Sequence, residues 1–160
     1  MRQSRNPEGL EKLVAHYFAT ACRMQEFVLS RMPIPINEQT RLGLRGVNNQ
    51  LGAGAVAGSH LPDVQSRFRL ILGEMTLAQF EDFLPPCPNN RKLRDWVRDY
   101  VGIEYEWDVQ LLLRADEVPS TRLGGGTRLG WTTWLGERHS TRPAGELRLN
   151  PEADARRVHQ

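Results

Sequence analysis

Three carboxylates stand at alternate positions, Glu104, Glu106 and Asp108. Successive side chains of an extended chain point to opposite faces, so this period sets all three on one side of a strand. Acids so placed could hold a divalent cation, which takes oxygen ligands. No histidine stands among them, and like charges in a row are also what a solvated strand face carries. The reading adopted is a solvated face, with no metal site. The histidines are His16, His60, His139 and His159. His60 and His139 each follow a glycine, Gly58 and Gly136, at matching places in two similar segments. They are either turn residues or a paired imidazole site. His16 belongs at the edge of the core, beside Tyr17. Leu123-Gly124-Gly125-Gly126 has the glycines of a phosphate loop but not the Gly-Lys-Ser/Thr that opens a helix. A turn needing positive φ fits Gly124 to Gly126 better. Cys22 and Cys87 are the only cysteines, neither in a Cys-x-x-Cys pair, and are expected as reduced thiols. There is no Gly-x-Ser-x-Gly elbow and no His-Glu-x-x-His. No catalytic, cofactor-binding or metal residue is therefore assigned, and no cofactor is expected.

Trp131 and Trp134 follow this glycine turn. Trp131 to Leu135 reads as a strand, so tryptophans three apart face opposite sides. One would fill the core and the other would anchor a partner. The candidate interface is Leu129, Trp131, Trp134 and Leu135.

The elements that carry these residues occur twice. Leu10, Leu13, Val14, Tyr17 and Phe18 are answered by Leu93, Trp96, Val97, Tyr100 and Val101. Thr40-Arg41-Leu42-Gly43 recurs as Thr121-Arg122-Leu123-Gly124, and Leu51-Gly52 as Leu129-Gly130. The order is kept while the spacing shortens from 83 to 81 to 78 positions. Loops that change length after duplication leave this pattern. Ala53 and Val56 then stand where the second copy has Trp131 and Trp134. Trp96 should be buried where Leu13 is.

Asn6-Pro7-Glu8 signals a helix start, with Asn as N-cap, Pro at the first helical position and an acid in the first turn. The helix should run to about Ala21 and be followed by a strand over 22–30. Met32-Pro33-Ile34-Pro35 should break regular structure. Leu51 to Gly58 reads as a small-residue strand and Phe68 to Leu72 as a short one. Met75-Thr76-x-x-Gln79 reads as a capping box, with Met75 stapled to Phe80. That helix ends near Leu84, before Pro85-Pro86. Asn89 or Asn90 should cap the second main helix, which Gly102 ends. Residues 103–111 alternate as a strand with one buried and one wet face, and Leu147 to Leu149 adds a short one. The fold class is α+β, a tandem duplication of a helix-plus-strands unit packed together. Its parts are 6–72, a connecting helix and turn at 73–90, a second repeat at 91–150 and a flexible tail at 151–160.

Composition sets outer bounds. The chain has 160 residues, 39% apolar, enough for a buried core. The formal charge is +2, from 21 basic and 19 acidic residues. A phosphate-tracking face needs a basic excess, so no nucleic acid is expected as partner. All the basic residues except Lys12 and Lys92 are Arg, which suits bidentate carboxylate contacts. No apolar run reaches the roughly 20 residues that span a bilayer, so no membrane insertion is expected. Residues 1–6 are polar without an apolar segment behind them, and a cytoplasmic address is expected.

Taken in order, Asn6-Pro7-Glu8-Gly9-Leu10-Glu11-Lys12-Leu13, Arg41-Leu42-Gly43, Phe68-Arg69-Leu70-Ile71-Leu72-Gly73, Phe80 with Phe83-Leu84-Pro85, and Leu123-Gly124 through Leu129-Gly130-Trp131-Thr132-Thr133-Trp134-Leu135-Gly136 resemble the TssG (ImpH) family. That family supplies a baseplate subunit of the bacterial type VI secretion system. The resemblance runs from about Arg5 to Pro151. It implies a non-enzymatic scaffold that acts through subunit contacts. The implied partners are two copies of TssF in each wedge, and TssK. The implied place is the cytoplasmic face of the inner membrane, in an assembly like a contractile phage baseplate. Family members are expected to carry a further region ahead of Arg5, so the chain is expected to correspond to the family's C-terminal part. The competing function is a small-ligand-binding module or enzyme using Gly124 to Gly126 and the His60/His139 region.

Overall fold

Asn6 opens the first helix, α1 (Pro7–Phe18), as its type requires: its side-chain oxygen accepts the Glu8 N–H at 3.2 Å. Glu8 also pairs with Lys12 one turn on, at 2.6 Å. Ala19, in the left-handed region at φ 49°, ends the helix. The computed structural model describes residues 6–40, 55–56, 58–120, 128–134, 136 and 140–158. After α1 come β1 (Cys22–Gln25), β2 (Ser30–Pro33), β3 (His60–Asp63), β4 (Arg67–Met75), α2 (Leu77–Asp82), α3 (Pro88–Val101), β5 (Glu106–Leu113), β6 (Arg148–Leu149) and α4 (Pro151–Val158). The fold class is α+β.

One sheet has the order β1-β4-β5-β6. β1 pairs antiparallel with β4, Cys22 opposite Leu72 and Gln25 opposite Arg69. β6 pairs antiparallel with β5, Val109 opposite Leu149. Leu10 and Val14 of α1, Leu93 and Val97 of α3, Phe80 of α2, Leu70 and Leu72 of β4, and Trp107, Leu111 and Leu113 of β5 form one buried cluster. Each such aliphatic side chain contributes roughly 1.5–3 kcal/mol by leaving water. The helix that Thr76 starts carries the expected capping box, with Thr76 and Gln79 bonded reciprocally, and both Met75 and Phe80 are buried in the core.

Two glycines are set by close approach. Gly73 has φ +126°, and a Cβ there would strike the Leu112 carbonyl of β5. A Cβ at Gly9 would overlap the Tyr100 hydroxyl, which donates to the Asn6 carbonyl at 3.0 Å and ties α3 to the start of α1.

The chain divides into two compact units, Met1–Glu26 with Phe68–Gln160, and Phe27–Arg67. The first holds the helices and the four-stranded sheet. Elements of both sequence repeats, α1, β1 and β4 with α3, β5 and β6, share its single core. The second holds the ribbon β2–β3, with Met32 opposite Leu61 and Pro33 opposite His60. Val28 and Ile34 are its buried apolar residues among the described ones.

Several local expectations are corrected. Strand β2 runs into Met32-Pro33, because Pro33 is the last residue of the strand, where a missing N–H is tolerated. Cys87, not Asn89 or Asn90, occupies the cap position of α3, with Pro88 at its first turn. Asn90 is buried instead, and its amide donates to the Phe83 carbonyl at 2.9 Å. Trp96 is 36% exposed, lying against Tyr17 of α1 at 5.2 Å between ring centroids, while Leu93 and Val97 fill the core. Of 151–160, expected as a flexible tail, 151–158 form α4. Asn150-Pro151-Glu152 is the same start signal as Asn6-Pro7-Glu8: Asn150 accepts the N–H of Glu152 at 3.2 Å and of Ala153 at 3.0 Å. Most of the segment 51–58 lies outside the described residues, as do the repeated stretches 41–43 and 121–124.

Candidate functional site

The three strand carboxylates do not share a face in water. Glu104 and Glu106 are exposed, but Asp108 is buried. Its carboxylate accepts from Arg69 of β4 through both oxygens, Nε at 2.5 Å and Nη2 at 2.9 Å. The side chains are 11% (Arg69) and 6% (Asp108) exposed. The Asp108 hydrogen bond raises the Arg69 pKa against the opposing effect of burial. A solvated face is ruled out for Asp108 because β5 is covered on both sides at Trp107, Asp108 and Val109. A guanidinium on the adjacent strand makes that burial tolerable. The site is an internal tie between β4 and β5, already neutralised, and offers nothing to a substrate.

The other chemical candidates do not converge. His60 is exposed at the first position of β3, its Nδ1 2.9 Å from the Ser59 hydroxyl. His139 and Gly124 to Gly126 lie outside the described residues. Cys22 and Cys87 are free thiols, and burial, aided by the Glu11 carboxylate, pushes the Cys22 thiol up to about 12. Among the described residues no three His, Cys, Asp or Glu side chains are placed to hold a metal ion.

The candidate interface at 129–135 is built differently from the expected strand. Residues 128–132 form a turn. The Arg128 carbonyl accepts from Trp131 N–H at 3.1 Å and Thr132 N–H at 2.9 Å. The Thr132 hydroxyl oxygen accepts the Arg128 N–H at 2.8 Å. Gly130 supplies φ +81°. The opposite-face argument therefore fails, since it needs an extended backbone. Trp131 and Trp134 are both half-buried against the core. The Arg128 guanidinium lies 5.9 Å from the Trp131 ring centre. Trp134 lies 6.0 Å from Phe80 between centroids, and its indole N–H donates to Glu146 at 3.4 Å. Leu129, at the turn's tip, is 91% exposed. Leu135 lies outside the described residues.

Further exposed apolar side chains stand where no motif marked them. In the unit Phe27–Arg67, Phe27, Leu29, Met32, Ile36, Leu61 and Val64 are exposed. Met32 and Leu61 face each other across the ribbon, so they share one side of it. The backbone beneath is tied down. Val28 N–H donates to the Arg67 carbonyl at 3.1 Å, and Ile34 N–H to the Ser59 carbonyl at 2.9 Å. Asp63 takes the N–H groups of Gln65 and Ser66, bonds that hold its carboxyl below the usual range. A two-stranded ribbon is marginal alone in water, and the exposed Met32–Leu61 pair makes this one a candidate contact surface. Sequence reading missed it because Met32-Pro33-Ile34-Pro35 looked like a break. The available signal was apolar density without a strand or helix period.

A family model for TssG of type VI secretion matches residues 1–136. The chain belongs to the TssG family. No curated protein matches it. A chain in a cryo-electron microscopy structure titled as the type VI secretion system TssK-TssF-TssG baseplate subcomplex superposes with a TM-score of 0.64 at 22% identity. That match covers 92% of this chain and 63% of the other, and at such identity shows the fold. A chain in a structure titled as the baseplate complex from the type VI secretion system matches with a TM-score of 0.58 at 25% identity. It covers 93% of this chain and 43% of that one. This TssG-family chain thus spans less than two thirds of the length of either structural relative. No helix of the described residues is long and apolar enough to cross a membrane.

Proposed function

We propose that the chain is a structural wedge component of a type VI secretion baseplate and works as a scaffold through subunit contacts. The observation that carries the reading is the TssG family match over 1–136. The likeness to chains in two baseplate structures supports it, as does the exposed apolar ribbon. TssF and TssK are its partners, with two TssF copies per wedge as the family resemblance implies. The assembled place is the cytoplasmic face of the inner membrane. The chain performs no catalysis of its own. The sequence repeat is read as a tandem origin of the segments 6–72 and 91–150 joined by 73–90.

The contact surfaces are the ribbon carrying Met32 and Leu61, and the turn carrying Leu129 with Trp131 and Trp134 behind it. The test is co-purification of the tagged chain with TssF and TssK from the same genome, at physiological salt. Capture of TssF or TssK is expected, and Met32→Ser with Leu61→Ser should reduce it while the chain stays folded, since both side chains are exposed. A folded wild-type chain that captures neither protein overturns the scaffold reading.

A further inference from the structure

A cleft of about 300 Å³ lies where the α3–β5 corner meets α4, within the first unit. Its walls are the corner residues Ile103 to Trp107 and the first turn of α4. That is the lower end of the size range of ligand sites, enough for a side chain or a short peptide segment. Ile103 at its rim is 89% exposed, and Tyr105 beside it is also exposed. Two large apolar side chains thus stand in water at the mouth of a polar-walled cleft.

The corner is rigid. Gly102 ends α3 at φ +86°. Arg98 reaches forward, and its Nη1 donates to the Gly102 carbonyl at 2.6 Å and to the Tyr105 carbonyl at 3.3 Å. Its Nη2 donates to Glu152 of α4. Glu152 also accepts the Trp107 indole N–H at 3.0 Å. These bonds fix α4 against the corner, so the cleft is preformed and a ligand need not order it.

Electrostatics select the occupant. Among the lining residues, Arg98 is already paired by Glu152, and the acid left facing the cleft is Glu106. Glu106 is exposed and makes no ion pair among the described residues. An anion is excluded at the α4 end, because Asn150 already takes the N–H groups of Glu152 and Ala153 there. The complementary partner brings positive charge to Glu106 and apolar surface to Ile103 and Tyr105.

We propose that this cleft receives a segment of a partner protein that presents a lysine or arginine next to an aliphatic or aromatic side chain. The cation pairs with Glu106 and the apolar side chain covers Ile103. The inference rests on the scaffold reading only in that a baseplate partner supplies the segment. It adds a contact surface distinct from the ribbon and from the Leu129 turn.

The test uses the full chain and short capped peptides as probes, Lys-Leu-Arg and Lys-Phe-Arg against Glu-Leu-Glu, followed by NMR at the Trp107 indole and the Ile103 methyl groups. The cationic peptides are expected to shift both signals with a dissociation constant of about 1 mM. Glu106→Gln should weaken them by about two- to fivefold, and Ile103→Ser should weaken them further, with unchanged melting temperature. No shift at ten times that concentration overturns the proposal. So do equal shifts from the acidic peptide, or full binding by Glu106→Gln and Ile103→Ser. Capture of TssF and TssK is scored in parallel. A chain that captures them while its cleft stays silent to the peptides refutes the cleft and leaves the scaffold reading standing. A chain that binds the peptides but captures neither protein refutes the scaffold and keeps the cleft.

Discussion

Removing the Asp108 carboxylate tests whether the β4–β5 tie is as consequential as its burial requires. In Asp108→Ala the Arg69 guanidinium keeps its place, 11% exposed, and loses two charge-assisted bonds of 2.5 and 2.9 Å. Each hydrogen bond to a charged group is worth roughly 1.5–3 kcal/mol. Breaking one half of a buried pair typically costs about 3–5 kcal/mol, since the surviving charge is left without a counter-ion in low dielectric. The higher figure applies only if Arg69 cannot swing into water. Its place on β4, a strand flanked by β1 on one side and β5 on the other, hinders that escape. A loss of about 3–5 kcal/mol is therefore expected. At about 2–4 °C per kcal/mol for a chain of this length, the melting temperature should fall by roughly 6–20 °C. The assay is chemical and thermal unfolding of wild type, Asp108→Ala, Arg69→Met and the double variant Arg69→Met/Asp108→Leu. Replacing both partners with apolar groups removes the orphaned charge, so the double variant should recover most of the loss. An Asp108→Ala protein within about 0.5 kcal/mol of wild type would refute the reasoning, as would a double variant showing the full sum of the single losses.

Gly73→Ala should cost at least ~2 kcal/mol in denaturant unfolding, because φ +126° strains any L side chain and the Leu112 carbonyl occupies the space of the new Cβ; a neutral result would mean that β4 and β5 separate freely. Trp96→Ala should cost only about 1 kcal/mol, against 3–5 for a buried tryptophan, since the ring is 36% exposed and rests on Tyr17. Cys22 should resist iodoacetamide at pH 8, where a thiol with its pKa near 12 is only about one part in ten thousand thiolate. Because burial raises this pKa, its alkylation rate should climb about tenfold per pH unit until the thiol titrates near 12; fast labelling of Cys22 at pH 8 in the folded chain contradicts the burial.

Local signals decided local structure. Asn6-Pro7-Glu8 started α1 and Thr76-x-x-Gln79 capped α2 because the donors and acceptors involved lie within one turn of each other. The stripes Leu10, Val14 and Leu93, Val97 named the buried helix faces, since a 3.6-residue period fixes which side chains share a side. Asn150-Pro151-Glu152 carries the same helix-start signal, set in a polar stretch without an apolar stripe to mark a buried face. The family, too, was written in the order of the motifs. What the chain alone could not decide is whatever depends on residues far apart in sequence. Asp108 alternates like a wet-face acid, and only the arrival of Arg69 from another strand buries it. Trp96 occupies a core position of the stripe, yet in the packed chain its ring lies partly exposed against Tyr17 of another helix. Trp131 and Trp134 read as one in and one out until Gly130 and Arg128 closed a turn that set both against the core. The apolar ribbon of Met32 and Leu61 exists because residues about thirty apart pair in register. Periodicity describes one element at a time, and partner choice between elements is a property of the packed chain.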